Sequence, residues 1–245
     1  MVKKGEVGLA HVLSMYQSYP WLLFKVEILK KSLENFDSWL PEIEVDNKDS
    51  SLIHEMIKLE TVVTTVHYAE VLAANLLAFR KGRKRFHKAL LSYKGDAIFS
   101  FYAQIKHRPL SYIAKLLGYP ALFQIRSPKE RAILRNSCKY VKKRLFEIGK
   151  YHLMFNSLYN AYKHGFRIGV FETGTPEEKL YPVILWPPER EKLAQATIVR
   201  LGLDVKPEHE MCQFMTSLLG SVTETFIQRV MKREASFTAT AFGQD

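Results

Sequence analysis

The sequence predicts a mainly α fold: a helical bundle with a small β-hairpin excursion after the central helix, in one helical domain over 1–245. Three observations lead there. Apolar residues recur at three- and four-residue steps along most of the chain. Helix start and stop signals, above all Ser127-Pro128-Lys129-Glu130, punctuate that pattern. Alternation of the strand kind is confined to one stretch after Gly165.

Residues 8 to 40 read as helix with a break at Pro20, and Leu23, Val26, Leu29, Leu33 and Phe36 form its apolar face. Pro41 and the polar run from Glu42 to Ser51 form a loop. A long helix starts after Ser50 or Ser51 and runs to about Phe79. Its stripe is Leu52, Ile53, Met56, Leu59, Val63, Val66, Ala69, Leu72, Ala73 and Leu76. After Gly82 a shorter helix covers about Arg83 to Tyr93. Gly95 to Tyr119 supplies further short helices, with His107-Arg108-Pro109 at a corner.

At Ser127, the N-cap serine, the proline in the first helical position and the glutamate behind it open a central helix that reaches Lys163 or His164, where Gly165 closes it. Gly149 stands inside it as a candidate break. Phe166, Ile168 and Val170 then alternate with Arg167, Gly169 and Phe171. With the turn Thr173 to Glu178 and the run Tyr181 to Trp186, they predict a hairpin insertion over about 166–186. Ala194 to Val205 reads as either strand or short helix. A C-terminal helix over about 207–234 carries Met211, Phe214, Met215, Leu218, Val222, Phe226 and Val230 on one face.

A chain of 245 residues, 47% hydrophobic and 25% charged, can bury a sizeable core. One large domain and two tightly fused halves both fit that length. Two distant cysteines, Cys138 and Cys212, form no CxxC and fit a reducing compartment. The start is basic, but His11, Ser14 and Gln17 interrupt its apolar stretch and no small-residue cleavage site follows, so a cytoplasmic protein without a signal peptide is expected. Val62 to Phe79 contains His67, Glu70 and Asn75. Charged groups cost roughly 2.5 kcal/mol or more each at a bilayer centre, so this segment reads as a buried helix, and no membrane partner is expected.

Formal net charge is +11, from 36 Lys+Arg against 25 Asp+Glu, a balance that draws polyanions through long-range attraction and counterion release. The stretch His152 to Arg167 concentrates groups able to act on one. His152, Asn156, Asn160 and His164 recur at four-residue steps, a slowly drifting polar row, with Tyr159, Lys163 and Arg167 close by. At a helix C-terminus the macrodipole favours a protonated imidazole and a neighbouring Lys or Arg opposes it. Such a cluster can orient a phosphodiester and move a proton. Equally, Asn and His on a bundle helix commonly bond to backbone, and the left-handed cap alone accounts for Gly165.

The segment Leu158-Tyr159-Asn160-Ala161-Tyr162-Lys163-His164-Gly165 resembles the signature of the HEPN superfamily, in which a helix carries an Arg, commonly an Asn next to it, then a His and often a Gly. Asn160, His164 and Gly165 match in type and spacing. The resemblance implies a helical core, a homodimer pairing two motifs across a cleft, and binding or metal-independent cleavage of RNA, in defence or toxin settings. His164 would transfer the proton, Asn160 would orient it or the phosphate, and Tyr159 would stand in the catalytic group. The chain departs from the pattern there, because Tyr159 occupies the Arg position and cannot neutralise a phosphate. Lys163 and Arg167 are the nearby cations, and a degenerate, non-catalytic member is one implied outcome.

A second basic constellation runs from Arg80 to Lys88, with Arg80, Lys81, Arg83, Lys84, Arg85 and Lys88 as phosphate contacts for RNA or another nucleic acid. Phe86 within it reads either as a base-stacking ring or as core. Arg80 and Arg83 also pair with His87 as alternative Arg-to-His couples, below the 159–164 segment. No Glu has a His three positions on, HExxH is absent, and so are GxxxxGK[ST], GxGxxG and GxSxG, so no metal and no cofactor are expected. The competing reading is a non-enzymatic helical interaction or scaffold protein with a basic, nucleic-acid-contacting surface.

Overall fold

A computed structural model describes residues 19–39, 50–81, 83–121, 124–163, 168–170, 173–174, 179–180, 183–185, 197–199, 201 and 205–230. The chain is mainly helical. In order come α1 (Tyr19–Glu34), α2 (Phe36–Trp39), α3 (Ser50–Arg80), α4 (Arg83–Leu91), α5 (Gly95–Ile105), α6 (Leu110–Leu116), α7 (Pro128–Lys163) and α8 (Lys206–Val230). Short strands β1 (Ile168–Val170), β2 (Thr173–Gly174), β3 (Lys179–Leu180), β4 (Val183–Leu185) and β5 (Thr197–Val199) lie between α7 and α8. Their pairings are antiparallel, with Ile168 opposite Leu185, Thr173 opposite Leu180 and Leu185 opposite Thr197. The residues that would make 166–186 one hairpin fall largely outside the described residues, as does the helix expected over 8–18.

Local chemistry sets the helix ends. Ser127 Oγ accepts the Glu130 amide at 3.3 Å, with Pro128 as the first helical residue. Pro109, at φ −69° and ψ 159°, stands before α6 and forces the corner. Gly118 ends α6 at φ 75°, so that the Tyr119 amide reaches Ala114 O at 2.8 Å and the Gly118 amide reaches Lys115 O at 3.3 Å. This is a Schellman closure, which glycine permits without strain.

The described chain divides into two compact units, the boundary falling within α1, α3, α7 and α8. The first comprises Met1–Pro20, Ala69–Leu153 and Phe214–Asp245. Its core holds Leu72, Leu76, Ile98, Ile105, Leu145 and Met215, all buried. Phe79, Phe86 and Phe226 meet at centroid distances of 4.7 to 5.0 Å. Phe86 is wholly buried there, which decides between its two readings: it is core, not a stacking platform for a base.

The second unit comprises Trp21–Tyr68 and Met154–Gln213. Leu22, Val26, Val62, Val63, Val66 and Leu158 are buried in it. Buried threonines are satisfied locally, Thr61 Oγ1 donating to Ile57 O and Thr65 Oγ1 to Thr61 O, each at 2.9 Å. Met56, expected on the buried stripe of α3, is 53% exposed. Lys58 and Leu59 are the buried residues there, and two residues turn a helix by about 200°. On α1, Leu22 and Val26 are buried, whereas Trp21, Phe24 and Ile28 form an exposed apolar face. Among the described residues α3 alone is long and apolar enough to cross a membrane, and 83% of its most apolar window is buried inside the protein.

Gly149 does not break α7. A Cβ there would stand 2.9 Å from Tyr102 Cδ1 and 3.1 Å from Tyr102 Cβ, and Tyr102 is buried with its hydroxyl donating to Ala69 O at 2.7 Å. Glycine lets the ring lie against the helix. Gly149→Ala is therefore expected to destabilise by about 1–3 kcal/mol through overpacking, overriding alanine's helix-propensity gain of about 1 kcal/mol. Urea denaturation of the variant checks this, and an unchanged or raised midpoint would refute the close-packing role.

Candidate functional site

The last turns of α7 carry the matched motif. Tyr159 is 4% exposed, with His67 of α3 stacked against its ring at 5.9 Å and an interplanar angle of 23°. Lys163, one turn further along, places Nζ 4.2 Å from the same ring centroid. A cation on a tyrosine face gains about 0.5–1 kcal/mol when exposed. The ring thereby seats the ammonium. His67, Asn160 and Lys163 are all exposed, and Asn160 and Lys163 are three apart on the helix surface. Tyr159 itself meets solvent little. His164, Gly165 and Arg167 lie outside the described residues.

The polar row does not share one environment. His152 is buried with its ring 5.1 Å from that of Tyr102, Asn156 is half-buried and Asn160 is exposed. Beside the motif, the Tyr162 hydroxyl donates to the Glu60 carboxylate, which also pairs with Lys25 and accepts from Thr64 Oγ1 at 3.4 Å. The hydrogen bond to Glu60 leads the causes that push the Tyr162 hydroxyl up to about 12, with burial second. Tyr162 thus remains a protonated donor at neutral pH.

Four cations of the second basic constellation are described. Arg80, Lys81, Arg85 and Lys88 are exposed, and the side chains of Arg83, Lys84 and His87 lie outside the described set. Arg80 and Lys81 turn to a cleft of about 620 Å³ bounded by α3, α4, α5 and α6. Arg80 Nη1 donates to the Tyr112 hydroxyl at 2.9 Å, and its guanidinium lies 5.2 Å from that ring's centroid. Arg108 approaches the same ring to 5.0 Å. Sequence reasoning reads Arg108 only as part of a corner and passes over Tyr112. The four-residue step from Arg108 to Tyr112 is the one local signal of this pairing.

Neither thiol resembles a nucleophile. Burial raises Cys138 to about 11 and Cys212 to about 12, the latter partly offset by a 3.6 Å contact with Thr65 Oγ1. Among the described residues no three His, Cys, Asp or Glu side chains gather as a metal-binding group. Comparison with known proteins finds no matching family model, no similar curated protein and no similar solved structure.

With pKa values this high, roughly one thiol in a thousand or fewer is ionised at pH 8. Native protein is expected to react with Ellman's reagent at least tenfold more slowly than protein unfolded in guanidinium. Equal rates for either cysteine would contradict the burial described above.

Proposed function

We propose that the protein is a HEPN-like RNA-binding protein, and that the RNA backbone meets the C-terminal end of α7. One observation supports this most: the Lys163 ammonium, seated on the buried Tyr159 ring beside exposed Asn160 and His67, stands directly before His164. In this reading Lys163 and Arg167 hold phosphates, Asn160 orients one, and His164 is the proton-transfer group of any metal-independent cleavage. Tyr159 positions Lys163 rather than touching RNA. With that tyrosine in place of a guanidinium, binding is favoured over cleavage. The basic residues 80–88 add sequence-independent attraction, in a cytoplasmic setting.

A homodimer belongs to the same proposal, and its candidate seam is the exposed Trp21, Phe24 and Ile28 face of α1, where the two rings touch at 5.7 Å. That face also supports the competing scaffold reading, in which assembly is the function and RNA is incidental.

Lys163→Ala is expected to weaken binding of a single-stranded RNA about tenfold in fluorescence anisotropy and to lower the salt slope by about one. An unchanged affinity and slope would remove the α7 end from the interface. Trp21→Glu is expected to shift the protein toward monomer in sedimentation velocity at micromolar concentration. The α1 seam is wrong if the two proteins sediment alike.

A further inference from the structure

The cleft of the first unit lies away from the α7 motif in sequence and has a chemistry of its own. Its volume of about 620 Å³ falls within the about 300–1,000 Å³ typical of small-ligand sites. Its apolar surface comes from Ala74, Leu77, Ala78, Ala97 and Phe101, where small side chains leave room beside an aromatic one. Around it stand four cations, Arg80, Lys81, Lys94 and Arg108, against one carboxylate, Asp96. We propose that this cleft binds an organic phosphomonoester with a flat or apolar body, the phosphate lying between Arg80 and Arg108.

The placement of the two guanidiniums carries the inference. Both sit on Tyr112, at 5.2 and 5.0 Å from its centroid, so their central carbons are at most roughly 10 Å apart, about one Debye length. Among the described residues neither has a carboxylate within ion-pair distance. Arg80 donates to the Tyr112 hydroxyl and Arg108 to Gln104 Oε1. A guanidinium has five N–H groups, so each retains donors for a further acceptor. Two like charges held near each other without a counter-charge repel, and a bound anion relieves that repulsion. A phosphomonoester is close to doubly charged at neutral pH and offers three acceptor oxygens, which suits two forked donors better than a carboxylate does. Tyr93, at the same cleft, and Phe101 offer ring surface to the ligand's body. Arg80 and Lys81 arrive on the end of α3 and Arg108 on the turn before α6, so the site exists only in the folded unit.

This inference does not rest on RNA binding at the α7 end, and the two fail separately because Arg108 serves only the cleft and Lys163 only the motif. Phenyl phosphate titrated calorimetrically into the full chain at low salt is expected to bind at least tenfold more tightly than inorganic phosphate. Arg108→Gln is expected to lose at least tenfold of that affinity, and Lys163→Gln none. Lowering the pH from 7.5 to 5, which removes one phosphate charge, is expected to weaken binding severalfold. Should Arg108→Gln alter the far-ultraviolet circular dichroism, Lys81→Gln at the exposed rim serves instead, with a loss of at least threefold expected. The proposal is overturned if phenyl phosphate binds no better than inorganic phosphate, if neither cleft variant changes its affinity, or if only oligonucleotides bind.

Discussion

The burial of α3 is the constraint on which the rest of the structure depends. From Thr61 to Val66, and again from Tyr68 to Glu70, its side chains are buried all round. A helix hydrophobic on every side cannot stand at a protein surface, so other elements must cover it. Within the first unit Leu72, Leu76 and Phe79 are covered, each such burial contributing about 1.5–3 kcal/mol, and Phe86 of α4 and Phe226 of α8 close over Phe79. In the second unit Val62, Val63 and Val66 are buried alongside Leu158. Thr61 and Thr65 in this helix avoid a desolvation penalty by donating to carbonyls one turn back, so their hydroxyls can be sealed within an apolar helix. Because the middle of α3 is committed to packing, chemistry is left to its exposed positions, His67 and Arg80.

A shortage of acids shapes those places. With 36 cations and 25 carboxylates, one-to-one pairing is impossible, and aromatic rings take up part of the excess. Lys163 sits on Tyr159, Arg80 and Arg108 on Tyr112, and Lys106 near Phe146. The distinction matters for function. A salt bridge uses a cation's donors and cancels its charge, whereas a ring face fixes its position and leaves both largely in place. Carboxylates appear instead where cations hold the fold together, as where Glu60 gathers Lys25 and Tyr162, or where Glu55 takes the buried Lys58 at 2.7 Å. Among the described residues the two guanidiniums in the cleft, Arg80 and Arg108, have a ring and no carboxylate as partner, so their charge is not cancelled there.

Much of the helical order was legible because its signals are local. Ser127-Pro128 and Pro109 act within one turn, and the structure places helix boundaries there. What required the fold was the choice of face. Phe86 sits in the densest basic run of the chain, yet a nine-residue helix shows its inner side only against Phe79 and Phe226. Met56 follows an apolar step and is still exposed, and Trp21, Phe24 and Ile28 are as apolar as the buried Leu22 and Val26. Composition cannot rank two apolar faces of one helix. The Arg80–Tyr112 contact spans 32 residues and His67 meets Tyr159 from another helix, so neither leaves a trace in local spacing.

The four-residue row on α7 shows how spacing can mislead and still locate a site. Four residues advance a helix by about 400°, so each step of the row drifts by about 40°, and from His152 to Asn160 the direction changes by about 80°. That rotation is enough to carry the row from interior to surface. His152 lies sealed against Tyr102, whose ring Gly149 admits to the helix, while Asn160 is open. A row that looked like one polar face is thus a packed histidine at one end and a solvent-facing amide at the other. The drift leaves the last turn as the part of the row able to meet a ligand, and there Lys163 Nζ lies over the Tyr159 ring. A phosphate reaching Asn160 would stand within one helical turn of that ammonium, on the same stretch of helix surface.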